Sequence, residues 1–128
     1  MRRALLFTLP FLLSMAEPVK DKNLLIEVED REGIRHNLRG LACNGKDYIK
    51  VKEGALEYAV GFKSLKSVEV LSQEGQNLRV RLSFKQGSVK EYLIPTTVHC
   101  KAVSDVGDVS FYLKDIKVIF ISTEEKKR

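Results

Sequence analysis

Runs in which apolar and polar residues alternate recur throughout this chain, broken by glycine-containing turns about every eight to twelve residues. This pattern limits the fold more than any other feature. Successive side chains leave a strand on opposite faces, so a period of two describes strands with one buried face. No stretch keeps a 3.6-residue period long enough for a helix, and the chain is expected to be all-β. The runs are Leu24–Glu29, Ile34–Leu41, Asp47–Lys52, Leu56–Phe62 and Ser67–Leu71, then Leu78–Phe84, Val89–Ile94, Val98–Val103, Val109–Tyr112 and Ile116–Ser122. Asn44-Gly45 suits a tight turn with both central residues at positive φ. Pro95, with no N–H to give a ladder, ends a strand or marks an edge.

The pattern starts again near the middle. Phe62–Val70 aligns with Leu113–Ile121 at an offset of 51, Gly54 and Gly107 precede the two blocks, and Gly33 and Gly87 sit at the first turn of each half. Two repeats are expected, at about 24–72 and 78–122, joined by the polar stretch Ser72–Asn77. Each repeat, at about 48 residues, is too small to keep a core of its own, so the two should pack together. Lys63-Ser64-Leu65-Lys66 and Lys114-Asp115-Ile116-Lys117 are too short for a helix between strands and suit one 3₁₀ turn that buries Leu65 or Ile116.

Five strands with a 3₁₀ turn before the last is the wiring of small SH3-like and Sm-like barrels, which this chain resembles over residues 24–122. It is similar, too, to exported bacterial β-repeat domains of unknown function. The resemblance implies two related five-stranded units, as tandem SH3-like small barrels or one merged β-sandwich. Its motif is one of packing and carries no catalytic residue across.

The N-terminal segment addresses the chain. Arg2 and Arg3 precede an apolar run from Ala4 to Leu13, and Ser14-Met15-Ala16 offers small residues where a signal peptidase reads. The run is far shorter than the ~20 residues that span a bilayer as a helix. Residues 1–16 are expected to be a cleaved export signal, residues 17–122 one all-β domain, and residues 123–128 a frayed charged tail. The destination is periplasmic or secreted. No later stretch is long and apolar enough for a transmembrane helix. Processing removes Arg2 and Arg3, leaving 20 basic against 17 acidic residues, a net charge of +3. That mild, dispersed charge does not call for nucleic acid as a partner.

Cys43 and Cys100 are the only cysteines. An even count in an oxidising compartment reads as a disulfide. His36, Cys43, His99 and Cys100 together offer ligand types for zinc or copper, but His-x₆-Cys and adjacent His-Cys match no tight metal loop. Neither histidine sits beside a glycine-framed nucleophile, and no glycine-rich phosphate cradle occurs. Arg79 and Arg81 share one strand face, and with Tyr92 they are the expected binding contacts. The open strand edges and the turns at Asn44-Gly45 and Asp105–Asp108 are further places for a partner.

The expected function is a non-catalytic envelope binding or scaffold module without cofactor, whose partner is an envelope protein or a surface polymer. The alternatives are a metal-binding or enzymatic protein using His36, His99, Cys43 and Cys100, and a polyanion-binding barrel. Intact-mass measurement of the protein from its own cell envelope, without reductant, should show loss of residues 1–16 and of the two thiol hydrogens. A mass that retains residues 1–16 removes the export reading.

Overall fold

The computed structural model describes residues 23–123. The expected signal, residues 1–16, and residues 124–128 of the tail lie outside the described residues. Ten strands follow one another: β1 (Leu24–Asp30), β2 (Arg35–Cys43), β3 (Tyr48–Glu53), β4 (Leu56–Gly61), β5 (Leu65–Glu74), β6 (Asn77–Phe84), β7 (Val89–Pro95), β8 (His99–Ser104), β9 (Gly107–Tyr112) and β10 (Ile116–Thr123). Two 3₁₀ turns, Phe62–Ser64 and Leu113–Asp115, lead into β5 and β10. They lie 51 residues apart and bury Phe62 and Leu113, with Leu65 and Ile116 buried just beyond them. Among the described residues there is no α-helix.

All ten strands form one curled antiparallel sheet, ordered β4-β3-β7-β6-β5-β10-β1-β2-β8-β9. Exchanging each strand for the one five places away along the chain reverses this order. The axis of that exchange runs through the β5–β10 pairing, where Val68 faces Ile119, flanked by Ser67 facing Phe120 and Glu69 facing Val118. The stretches 24–72 and 78–122 are not laid side by side as two blocks. The β3–β4 hairpin leaves β2 and pairs with β7, while β8–β9 pairs with β2. The stretch Ser72–Asn77, expected as a joint, is instead the end of a long β5–β6 hairpin that closes between Glu74 and Asn77.

The concave face holds one core. Leu24, Ile26 and Val28 of β1 pack with Leu78, Val80 and Leu82 of β6 and with Val68, Val70, Ile119 and Ile121 of the central strands. No polar or charged residue is buried among the described residues, so burial of apolar area drives the fold. Bulges keep the right residues inside. Leu38 and Leu41 are an odd number of residues apart and would face opposite ways in a regular strand. The register of β2 against β8 shifts between Arg39 and Ala42, at Gly40 with φ +72°, and both leucines reach the core with Cys43. Lys66 and Lys117, again 51 apart, are the extra residues of matching register shifts just after the two 3₁₀ turns.

Cys43 and Cys100 face each other directly across β2 and β8 and form a disulfide, with Cα atoms 3.9 Å apart. The turn that follows is the expected one, with Asn44 at φ +52° and Gly45 at φ +78°. Asn44 then donates its N–H to the His99 carbonyl at 2.7 Å, and its side chain accepts the His99 N–H. The bridge closes a separation of 57 residues. Replacing both cysteines by alanine should cost about 4 kcal/mol of unfolding free energy by the chain-entropy estimate. Denaturant titration with and without reductant measures this, and coincident curves would refute the stapling role.

Candidate binding site

The second and fourth strands of each half are where the two sides of the sheet diverge. Register relates Tyr58 on β4 to Val109 on β9, and Tyr92 on β7 to Leu38 on β2, because Val51–Tyr58 and Val80–Tyr92 correspond to Ala102–Val109 and Ile26–Leu38. On one side Tyr58 packs on Tyr92 with ring centroids 5.6 Å apart, and the Lys90 ammonium lies 6.0 Å from the Tyr92 ring. That end of the core is plugged. On the other side valine and leucine replace the two rings, and a cavity of about 400 Å³ remains. Its floor is Val28, Leu38, Val109, Phe111 and Ile116. Asp30, Arg31, Glu32, His36, Ser110 and Asp115 form its rim. An apolar concavity of this size with a few polar groups at its mouth has the form of a ligand site.

The rim is built by the β1–β2 turn. One Asp30 oxygen accepts the backbone N–H groups of Glu32 (2.9 Å) and Ile34 (3.0 Å), and the other meets His36 Nε2 at 3.1 Å. A short acidic side chain that closes its own turn is why aspartate suits this position. These contacts hold the Asp30 carboxyl below the ordinary aspartate range, the His36 hydrogen bond first and the backbone donors after it. Arg31 ties the turn to the 3₁₀ segment: its N–H reaches the Asp115 carbonyl at 3.1 Å and its Nε the Lys114 carbonyl at 3.2 Å. Both walls of the mouth are therefore fixed to each other.

A second groove, of about 290 Å³, follows the seam between β3 and β7. Tyr48, Ile49, Ile94 and Val98 line it beside Cys43, and Lys46, Lys50 and Glu57 edge it. That seam has one registered pair, Lys52 with Leu93, whereas the corresponding seam between β2 and β8 carries the disulfide. The larger cavity is the stronger site because an open strand runs beside it and an organised rim encloses it.

The expected contacts do not gather at either place. Arg79 and Arg81 share the convex face of β6, where Arg79 bonds Glu74 at 2.7 Å and Arg81 reaches Glu69 and Glu91 at 3.3 Å each. The Arg79 guanidinium holds the Glu74 carboxyl below its ordinary range. Their charges are answered by acids on both neighbouring strands. Tyr92 is buried on the opposite, concave face and cannot act with them. The histidine–cysteine alternative fails on geometry, since both sulfurs are bonded to each other, His36 pairs with Asp30, and His99 packs on Tyr112 at 4.8 Å between centroids. Among the described residues, no group of three or more His, Cys, Asp or Glu is placed to hold a metal. The cavity residues Leu38, Val109 and Phe111 drew no attention in the sequence. Aligning the two halves and asking where a tyrosine pair becomes valine and leucine would have found them.

A family model described as "Uncharacterised protein" matches residues 20–124, and the chain belongs to that family. It is 39% identical over 127 residues to an "Uncharacterized protein" of Aquifex aeolicus (strain VF5), a match that covers 96% of each chain.

Because Asp30 is held in its charged form, its contacts persist above the ordinary aspartate value and are lost only as pH falls through the lowered one. Replacing His36 with alanine should move the Asp30 titration, followed by carboxyl-carbon NMR, up toward the ordinary value. An unmoved titration would show that the histidine does not organise the rim.

Proposed function

We propose that this chain is an exported, non-catalytic binding module whose ligand enters the cavity between β9 and the β1–β2 turn. In this reading the two halves of the chain are related repeats on one barrel-like plan, and of the two sides of the sheet that they build together one keeps a tyrosine plug and the other has opened into a receptor. The observation that carries the reading is the replacement of Tyr58 and Tyr92 by Val109 and Leu38 at corresponding positions of an otherwise matching sheet. An apolar floor left open to solvent and a fixed rim are what a receptor needs and a stability-optimised surface avoids, because the exposed apolar area forfeits burial. The signal-like segment at residues 1–16 and the disulfide support an oxidising destination. An envelope protein is the partner class that fits, since the cavity is too small to hold more than side chains or a small molecule.

The test is a titration with N-acetyl-leucine methylamide, a single capped aliphatic residue, followed by methyl and amide NMR. Shifts should concentrate at Leu38, Val109, Phe111 and Ile116 and vanish when L38Y and V109Y rebuild the plug. Absence of those shifts in the unaltered protein, at millimolar probe, would overturn the reading.

A further inference from the structure

The cavity lies along an unpaired strand edge, and the two features together define a more specific ligand. Among the described residues β9 is the last strand of the sheet and pairs only with β8. Which of its backbone groups face outward follows from the hydrogen bonds. In an antiparallel ladder the N–H and C=O of one residue point to the same side. His99 turns its carbonyl toward β2, where it accepts the Asn44 N–H. Cys100, Ala102 and Ser104 therefore face β9, and their partners Phe111, Val109 and Gly107 answer them. Asp108, Ser110 and Tyr112 are left with N–H and C=O directed away from the sheet. The side chains of Val109 and Phe111 line the cavity, and Ser110 is at its rim.

A strand laid against this edge would set alternate side chains beside Val109 and Phe111, at about 6.6 Å spacing, on the cavity side. The charge around it selects the strand. Glu32 on the rim, Asp105 in the turn before β9 and Asp108 on β9 make no ion pair among the described residues, and Asp30 and Asp115 bring the acids to five against Arg31, His36, Lys114 and the Lys101 that faces Ser110 from β8. The opposite edge differs. β4 has its concave side closed by Tyr58 on Tyr92, so it offers backbone groups but no room for a guest side chain.

We infer that the free edge of β9 takes an extended basic peptide by strand addition, with its alternate apolar side chains in the cavity. The inference rests on the cavity being the binding site and adds the class of partner. Main-chain bonds would supply affinity, and the cavity and acidic rim would supply selectivity.

The experiment uses the oxidised protein and acetyl-(Lys-Leu)₃-amide, titrated by NMR and calorimetry. Two further versions are N-methylated at the leucine amides or at the lysine amides. An edge bonds only alternate amides of an added strand, so one version should bind at least tenfold more weakly and the other within about twofold of the parent. The Ser110→Pro variant, which removes an outward N–H and no bond to β8, should weaken binding similarly. Acetyl-(Glu-Leu)₃-amide should not bind. Equal sensitivity to both methylations, equal binding of the acidic peptide, or no binding of the parent would each overturn strand addition. The capped leucine titration decides the cavity separately. If it binds and the peptide gains nothing over it, the cavity stands and strand addition falls.

Discussion

The bond between Cys43 and Cys100 ties the molecule where its own pairing is interrupted. β2 and β8 lose register at the Gly40 bulge, so the ladder that attaches the β8–β9 hairpin to the sheet is broken midway. The disulfide sits just past that break, on the core side. Its loop encloses β3 to β7, a contiguous stretch that forms one whole side of the sheet. The strands outside the loop, β8 to β10 and β1 to β2, form the other side. The bridge thus links the entry and exit of one half of the sheet, and it fixes β9 against β1 and β2, the walls of the cavity. For the binding proposed above, an edge held by a covalent link would lose little freedom on meeting its ligand, which is the energetic advantage of preorganisation.

The same backbone plan serves two different ends. At the β5–β10 axis the sheet is closely symmetric, down to paired residues 51 apart. Away from the axis the side chains diverge. One outer seam is locked by the disulfide and leaves its cavity open; the other has a single registered pair and a tyrosine plug. Each side therefore gives up rigidity or packing at a different point. The convex face repeats the theme in charge. Arg79 and Arg81 are held by Glu69, Glu74 and Glu91, while across the axis Glu27 and Glu29 are held by Arg35 and Lys117. Such exposed pairs contribute little each. Their effect is to pin the strand order by matching unlike charges across neighbours.

Much of the fold was legible because strand patterning is local. The period of two placed all ten strands, Asn44-Gly45 announced its turn, and the Lys-x-apolar-Lys blocks marked the 3₁₀ turns. What did not show was which strand lies beside which. The exchange of β3–β4 and β8–β9 depends on long-range pairing, and alternation reads the same whichever neighbour a strand chooses. Arg79 and Arg81 were correctly put on one face, yet their acidic partners lie on β5 and β7 and only register reveals them. Tyr92 is expected as a contact because a tyrosine can interleave with the basic residues of its neighbours, yet it faces the core with Val80. Its burial depends on Tyr58, which comes from another hairpin. The cavity was illegible for the same reason: an open concavity is a property of four strands together and leaves no mark on any one of them.

The acids beside β9 bear on how an open edge is tolerated at all. An unpaired strand invites pairing with a second copy, and natural sheets counter this with charge. Here β4 carries Glu57 and β9 carries Asp108, with Asp105 in the preceding turn. On β4 Glu57 is faced by Lys52 of β3, whereas two β9 edges brought together carry like charge. A basic strand meets the opposite field. If β9 takes the basic peptide proposed above, the charges that keep the edge from its own kind are also the ones that select the guest, and no separate device is needed for protection and for selection.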